Sequence, residues 1–141
     1  MTHAWLNDAL VIGALSGMRS MAGPTTLMLQ QGGYVAGAMA VLAVGEMIVD
    51  KMPSVGSRLA PGPLAGRAVM GALAGGVIAR RARGNVAAGA VVGASAALAA
   101  AYLAYHARKQ LPLSNALGGV VEDLLVLGIG AASRTRLTRL T

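Results

Sequence analysis

Residues 86–105 form a run of twenty residues without a charged side chain, and this run limits what the chain can fold into. At 1.5 Å per residue, an α-helix of this length covers about 30 Å, the thickness of the hydrocarbon core of a membrane. Alanine and glycine fill more than half of the run, and no proline interrupts it. The run therefore predicts a transmembrane helix.

Four further apolar segments accompany this run, and most basic residues lie between the segments. Only 12% of the residues are charged and the mean hydropathy is +0.62, whereas about a quarter of the residues are charged in a soluble domain. We expect an all-α membrane protein, a Gly/Ala-rich polytopic helical bundle of four or five spans in a single integral membrane domain covering residues 1–141. The five apolar segments are residues 9–29, 34–49, 64–79, 86–105 and 116–133.

Two segments leave the number of spans open. The first contains Arg19 and Pro24 near its middle, and this combination of a charge and a helix breaker favours either a discontinuous helix or a proline-kinked one. The third has only twelve uncharged residues between Arg67 and Arg80, a length at which a spanning helix and a re-entrant segment compete. We expect the third segment to span, with Arg67 near its entrance.

Glycines that recur four residues apart indicate how the helices pack. Small residues at this spacing let two helix backbones approach closely, which is a common way to associate helices in lipid. The pattern predicts packing surfaces and does not indicate a ligand. The pairs are Gly13 and Gly17, Gly33 and Gly37, Gly71 and Gly75, and Gly89 and Gly93.

Similar short motifs in the two halves of the chain are compatible with an internal repeat. G-A-L-S-G begins at Gly13 and G-A-S-A-A at Gly93, while V-G-E ends at Glu46 and V-V-E at Glu122. In a five-span bundle one span separates the two pairs, so the second pair would run in the opposite direction. This arrangement would be an inverted two-helix repeat around a central segment, as found in transporters.

Basic residues do not orient a five-span bundle. An excess of Lys and Arg marks the cytoplasmic loops of a membrane protein, but five such residues lie on the N-terminal side and six on the other, so single and dual topology both stay open. The five are Lys51, Arg58, Arg67, Arg108 and Lys109, and the six are Arg80, Arg81, Arg83, Arg134, Arg136 and Arg139.

Ionisable residues inside the apolar segments are the main indication of function. Each costs at least about 2.5–3.5 kcal/mol in the bilayer unless it is compensated, so we expect them to face one another within the bundle. Arg19 with Glu122 is the first pair that we predict, and Glu46 or Asp50 with Arg67 is the second. The predicted pathway for a substrate or ion consists of Arg19, Ser20, Glu46, Asp50, Arg67, Glu122 and Asp123.

Two functions are compatible with this pattern. The first is a transporter or channel for a small solute or ion that uses the intramembrane charges. The alternative is a non-transporting structural or assembly subunit of a membrane complex, in which the same charges form internal ion pairs that fix helix register. In either case we expect a homo-oligomer or a subunit of a membrane complex, with the lipid bilayer around it.

Other classes of function are not expected. No histidine is placed to act as a base for a serine nucleophile, and no phosphate-binding loop or dinucleotide motif is present, so we predict that the chain is not an enzyme. With no cysteine and two histidines, we expect no metal site and no other cofactor. The net charge of +7 lies where membrane-flanking residues belong, which argues against nucleic acid as a partner.

Several motifs resemble one protein family. G-M-R-S at residues 17–20 is followed by Pro24, then by G-E-M-I-V-D-K-M-P at residues 45–53, and later by S-N-A-L-G-G-V-V-E-D-L-L-V-L-G at residues 114–128. Together they resemble the uncharacterised bacterial membrane proteins called domain of unknown function 4126. Arg67 departs from that pattern, since alanine follows it where the family has proline. The resemblance implies a multi-pass protein of the bacterial inner (plasma) membrane and supplies no activity or cofactor.

Overall fold

The computed structural model describes residues 4–49, 59–112 and 114–137, and these residues form six α-helices and no strand. The all-α prediction is therefore confirmed for the described part of the chain. Four of the predicted apolar segments each correspond to one helix, whereas the first segment is divided between two. The helices are α1 (Ala4–Met18), α2 (Ala22–Met28), α3 (Gly33–Val49), α4 (Pro61–Arg81), α5 (Val86–Gln110) and α6 (Asn115–Leu137).

The tight turn between α4 and α5 is encoded locally. Arg83 adopts a φ of 55°, a left-handed conformation that reverses the chain directly after α4. Asn85 then caps α5, because its side chain accepts a hydrogen bond of 3.0 Å from the backbone N–H of Ala88. Asparagine is among the favoured residues at this position, since it satisfies a donor that the helix leaves free.

Helices α1, α4 and α5 form the centre of the bundle and meet at small residues. A Cβ atom added to Gly13 would lie 2.5 Å from the carbonyl oxygen of Gly93, and one added to Gly71 would lie 2.5 Å from the same oxygen. Gly75 lies against Gly89 in the same way. Since real Cβ atoms do not approach a carbonyl this closely, the backbones touch only because side chains are absent there.

Six of the eight glycines predicted to pack helices lie at this junction, including Gly17, which contacts Ala97. Gly33 and Gly37 do not lie at this junction. A Cβ atom added to either residue would have no described atom within 4 Å, apart from its chain neighbours and the backbone of its own helix. Gly33 instead begins α3 with a φ of 81°, a conformation that glycine adopts without strain.

The direction of the helices excludes the predicted inverted repeat. Gly13 of α1 lies beside Gly93 of α5, and Gly17 lies beside Ala97. The residue number rises by four on both helices between these contacts, so the two helices run parallel. An inverted repeat requires these two segments, whose motifs match, to run in opposite directions. The prediction is wrong because α1 is followed by a reversal of the chain.

That reversal makes a hairpin of α1 and α2. A Cβ added to Gly23 would lie 2.7 Å from the carbonyl oxygen of Ile12, although a continuous helix would separate these residues by roughly 16 Å along its axis. Helix α2 therefore folds back along α1, and residues 19–21 form the tip of the hairpin. The predicted discontinuous helix is confirmed, because residues 19–21 separate α1 from α2, whereas the predicted alternative, a proline-kinked helix, is wrong, because the two helices turn back on each other.

The two ends of the bundle can be assigned from side-chain contacts. Trp5 lies against Gly84 in the turn between α4 and α5, and Arg81 donates a hydrogen bond of 3.2 Å to the side chain of Gln30. The hairpin thus starts and finishes at the same end, called here the Trp5 end. The loop that joins α5 to α6 lies at the opposite end, called the Pro112 end.

Helix α6 returns the chain to the Trp5 end. Asp123 bonds to Arg19 at the hairpin tip, and a Cβ added to Gly130, seven residues later, would lie 3.2 Å from the hydroxyl of Thr26. Between these two contacts the residue number rises by seven on each side, from 19 to 26 and from 123 to 130, so α6 runs parallel to α2. The N-terminal end of α1 and the C-terminal end of α6 therefore lie at the same end of the bundle.

The exterior of the bundle is apolar and the interior contains charged side chains, the reverse of a soluble protein. Large hydrophobic residues on α3 to α6 are exposed, while arginine and carboxylate side chains are buried. Among the described residues, α4 and α5 are long and apolar enough to cross a membrane, and α3 has a shorter apolar stretch over Gly33–Ile48. These properties indicate association with a membrane. The most exposed examples are Tyr34, Val35, Val41, Val91, Leu103 and Leu124.

Candidate functional site

Arg19 lies at the hairpin tip and is buried, with 1% of its surface exposed. Its backbone N–H continues the hydrogen bonding of α1 by donating to the Leu15 carbonyl. Its side chain donates from Nε and Nη2 to one carboxylate oxygen of Asp123, at 2.8 and 2.5 Å. The sequence predicted Glu122 as the partner of Arg19, and the hydrogen bonds described here are made by the neighbouring Asp123.

Glu46 brings α3 to the same tip. One oxygen of its carboxylate accepts a hydrogen bond of 2.8 Å from the backbone N–H of Ser20, and the other accepts one of 2.9 Å from Met21. These N–H groups belong to the turn that interrupts the helix, where the chain needs outside acceptors. Ser20 therefore joins the site through its backbone, and Glu46 stabilises the hairpin tip.

Glu122 is buried and bonds to a residue that the sequence did not assign to the site. Arg108, near the end of α5, donates from Nη2 to Glu122 at 2.5 Å. Arg108 had been interpreted as a membrane-flanking residue. The signal that could have identified it is a carboxylate inside an apolar helix, which needs a cation from a neighbouring element.

Arg67 on α4 is also buried, with 5% of its surface exposed. Its charge is attracted by Glu46 and Glu122 and repelled by Arg19 and Arg108, so it lies among all four. Its Nε has no hydrogen-bond partner among the described residues. The predicted alternative partner of Arg67 was Asp50, which lies outside the described residues.

The structure thus assembles a charged cluster around the hairpin tip, with side chains from five helices or their ends. Three members are cations and three are anions, so the formal charges cancel. Charges interact more strongly in such a poorly polarisable interior than in water, which allows the cluster to exist away from solvent. The members of the charged cluster are Arg19, Glu46, Arg67, Arg108, Glu122 and Asp123.

The fold and the charged cluster define the chain as a helical bundle with an apolar exterior and an ionic interior. A scan against protein-family models, a search of curated proteins and a search of solved structures each found no match. The resemblance to domain of unknown function 4126 stays a prediction.

Proposed function

We propose that the chain is a multi-pass protein of the bacterial inner membrane in which α3, α4, α5 and α6 cross the bilayer. The hairpin of α1 and α2 enters from the Trp5 end, reaches the middle of the bundle and returns. Exposed apolar side chains on the four crossing helices support this arrangement, because lipid is the environment in which such a surface is stable. Helix α3, with 17 residues, is the shortest crossing and covers about 26 Å.

The interrupted backbone at the hairpin tip is compatible with this location. Non-helical backbone at membrane depth is tolerated only where protein buries it or where it lines a water-filled cavity. The carboxylate of Glu46 accepts from the two N–H groups of the turn, and the side chain of Arg19 is enclosed by the bundle. The N–H groups of Ser20 and Met21 at the tip therefore have acceptors within the protein.

We infer that the charged cluster binds and passes a small solute or ion. The observation that carries this proposal is Arg67, a buried arginine whose Nε lacks a hydrogen-bond partner in the described part of the chain. A charge of this kind is expensive within a membrane, and balancing the three carboxylates of the cluster does not require a buried donor that has no hydrogen-bond partner. Its presence is explained if the guanidinium interacts with a species that enters the cluster.

A second function, that of a structural or assembly subunit, is favoured by the two ion pairs. Arg19 with Asp123 and Arg108 with Glu122 join α1 and α5 to α6. Pairs of this kind fix the register of helices whether or not anything passes between them. In this case the cluster is a scaffold, and Arg67 contributes the third positive charge that balances its carboxylates.

Flux by the wild type and by the Arg67→Met variant separates these functions, because only the transport proposal predicts flux that depends on Arg67. Purified protein in liposomes is tested for dissipation of separate H⁺, Na⁺, K⁺ and Cl⁻ gradients, and unfolding is followed in detergent. The transport proposal predicts flux of one ion by the wild type and at least a tenfold loss of flux per folded molecule of Arg67→Met, whose stability should also fall because three buried carboxylates then face two cations. Arg80→Met is the matched control, since Arg80 is exposed at the end of the same helix, and it should retain flux.

Two results would contradict transport of these ions. Wild-type protein that dissipates none of the four gradients would support the scaffold function instead. Flux that is undiminished in Arg67→Met would remove Arg67 from the pathway and with it the observation on which the proposal depends.

A further inference from the structure

Helices α5 and α6 follow one another in the chain, yet they diverge and leave a cavity of about 320 Å³ between them. The divergence arises because α6 is held against the hairpin by the bond from Arg19 to Asp123. Small side chains widen the gap, with Ala100, Ala104 and Ala107 on α5 and Gly118 on α6. The volume lies within the range of about 300–1,000 Å³ that is usual for pockets that bind small molecules.

This groove runs from the Pro112 end toward the hairpin tip. Arg108 and Gly118 line its outer part, while Ala100 and Met18 line its deep part. Eight residues separate Ala100 from Arg108, which is roughly 12 Å along α5. The groove therefore extends from the level of one membrane surface toward the middle of the bilayer, and its deep end adjoins the residue before Arg19.

The walls of the groove suit a hydrocarbon chain that enters from the lipid phase. Leu103, Val121 and Leu125 line it and are also exposed on the outside of the bundle, Leu103 to 71%. A groove bordered by such residues opens sideways into the acyl chains. Among the described residues, the polar side chains that line it are Arg108 and Glu122, which are bonded to each other.

The outer part of the groove is suited to an anionic group. Arg108 reaches this part with a side chain that is 22% exposed, and its Nε has no hydrogen-bond partner among the described residues. The next residue, Lys109, is exposed at the end of α5, with its Nζ 4.8 Å from the centre of the Tyr105 ring. Two cations near a membrane surface attract anionic headgroups, whereas Glu122 disfavours an anion deeper in the groove.

We propose that this groove binds one acyl chain of an anionic phospholipid, with the phosphate held near Arg108 and Lys109. The observation behind it is the continuity of an apolar groove with a cationic end at the level where headgroups lie. The proposal shares with the proposed function only the location in a membrane, and it holds whether or not the charged cluster transports an ion.

Native mass spectrometry of protein reconstituted with equal amounts of phosphatidylglycerol and phosphatidylcholine, both with the same acyl chains, tests the proposal. We expect the wild type to retain one phosphatidylglycerol per chain in at least fivefold excess over phosphatidylcholine. Ala104→Trp and Val121→Trp fill the groove from opposite walls, and both should lose this lipid. Val91→Trp is the control, because Val91 is an exposed residue of α5 away from the groove, and it should retain the lipid. Thermal unfolding verifies that each variant is folded.

A double variant, Arg108→Gln with Glu122→Gln, tests the headgroup without leaving one charge of the pair behind. It should still retain a lipid, with the preference for phosphatidylglycerol reduced to near one. Four results would overturn the proposal: equal retention of the two lipids by the wild type, full retention by both folded tryptophan variants, retention of a free fatty acid in place of phospholipid, or a dimer whose second copy occupies the groove. Arg67→Met should not alter lipid retention, so failure of the transport proposal and failure of this one can be distinguished.

Discussion

Arg19 and Asp123 are 104 residues apart in the sequence and form a buried ion pair between the hairpin tip and α6. Two donors of the guanidinium converge on one carboxylate oxygen, at 2.8 and 2.5 Å. Because the pair joins the first helix to the last one, it closes the bundle around the charged cluster. It also holds α6 against the hairpin.

Asp123→Asn should destabilise the protein by about 3–5 kcal/mol, because it leaves Arg19 buried without a counter-charge. The free energy of unfolding in detergent measures this loss. Adding Arg19→Gln to Asp123→Asn should recover part of it, since the double variant buries no net charge. A strictly additive effect of the two substitutions would show that the pair is not energetically coupled.

Gly93→Ala should destabilise the bundle, because the added methyl group would meet the carbonyl of Gly71 on the neighbouring helix. Gly37→Ala is the matched control: it lies within α3 and has no described neighbour within 4 Å of the added atom. There the substitution should be neutral or should stabilise by up to about 1 kcal/mol, since alanine favours a helix. Thermal unfolding of both variants compares them, and equal loss at the two positions would argue against close packing at Gly93.

Glu46→Gln should loosen the hairpin tip while leaving most of the fold intact. The carboxylate accepts from both Ser20 and Met21, whereas the amide of glutamine has one acceptor oxygen. Amide hydrogen exchange should therefore accelerate at one or both of these N–H groups, with little change in the middle of α5. Unchanged exchange at both residues would show that the carboxylate does not hold the turn.

The helices and their packing residues were largely predictable, whereas the path of the chain was not. Four apolar segments were long and uniform enough to identify α3 to α6, and glycine spacing indicated where α1, α4 and α5 meet. The first segment has 21 residues, which equals the length of one span, and the same length also accommodates a hairpin. Arg19 and Pro24 indicated a break in the helix, but the turn at residues 19–21 contains neither glycine nor proline, so nothing indicated that the chain reverses there.

The charged cluster was predictable as a group but not as a set of pairs. Burial in a membrane requires compensation, which is why Arg19, Glu46, Arg67 and Glu122 were expected to converge. The individual partners depend on helix rotation, and adjacent residues of a helix point about 100° apart. That rotation directs Asp123 toward Arg19 and Glu122 toward Arg108, a distinction that the sequence does not contain.

The Trp5 end should face the cytoplasm. Arg19 and Arg67 are buried and Arg108 is bonded to Glu122. By chain position, the nine remaining basic residues number six at the Trp5 end and three at the other, and the positive-inside rule places the larger number in the cytoplasm. A fluorescent protein fused to the C-terminus should therefore fluoresce, and alkaline phosphatase fused there should be inactive. The reverse pattern would contradict this orientation, and activity of both fusions would indicate dual topology.

The hairpin is the central claim, and cysteine labelling in oriented vesicles tests it most directly. The chain has no cysteine, so Ala4→Cys, Gln31→Cys and Ser114→Cys each introduce a single thiol at an exposed position. A membrane-impermeant maleimide should label Ala4→Cys and Gln31→Cys from one face of the membrane and Ser114→Cys from the other. Labelling of Ala4→Cys and Gln31→Cys from opposite faces would mean that the first segment crosses the bilayer, and it would contradict the hairpin.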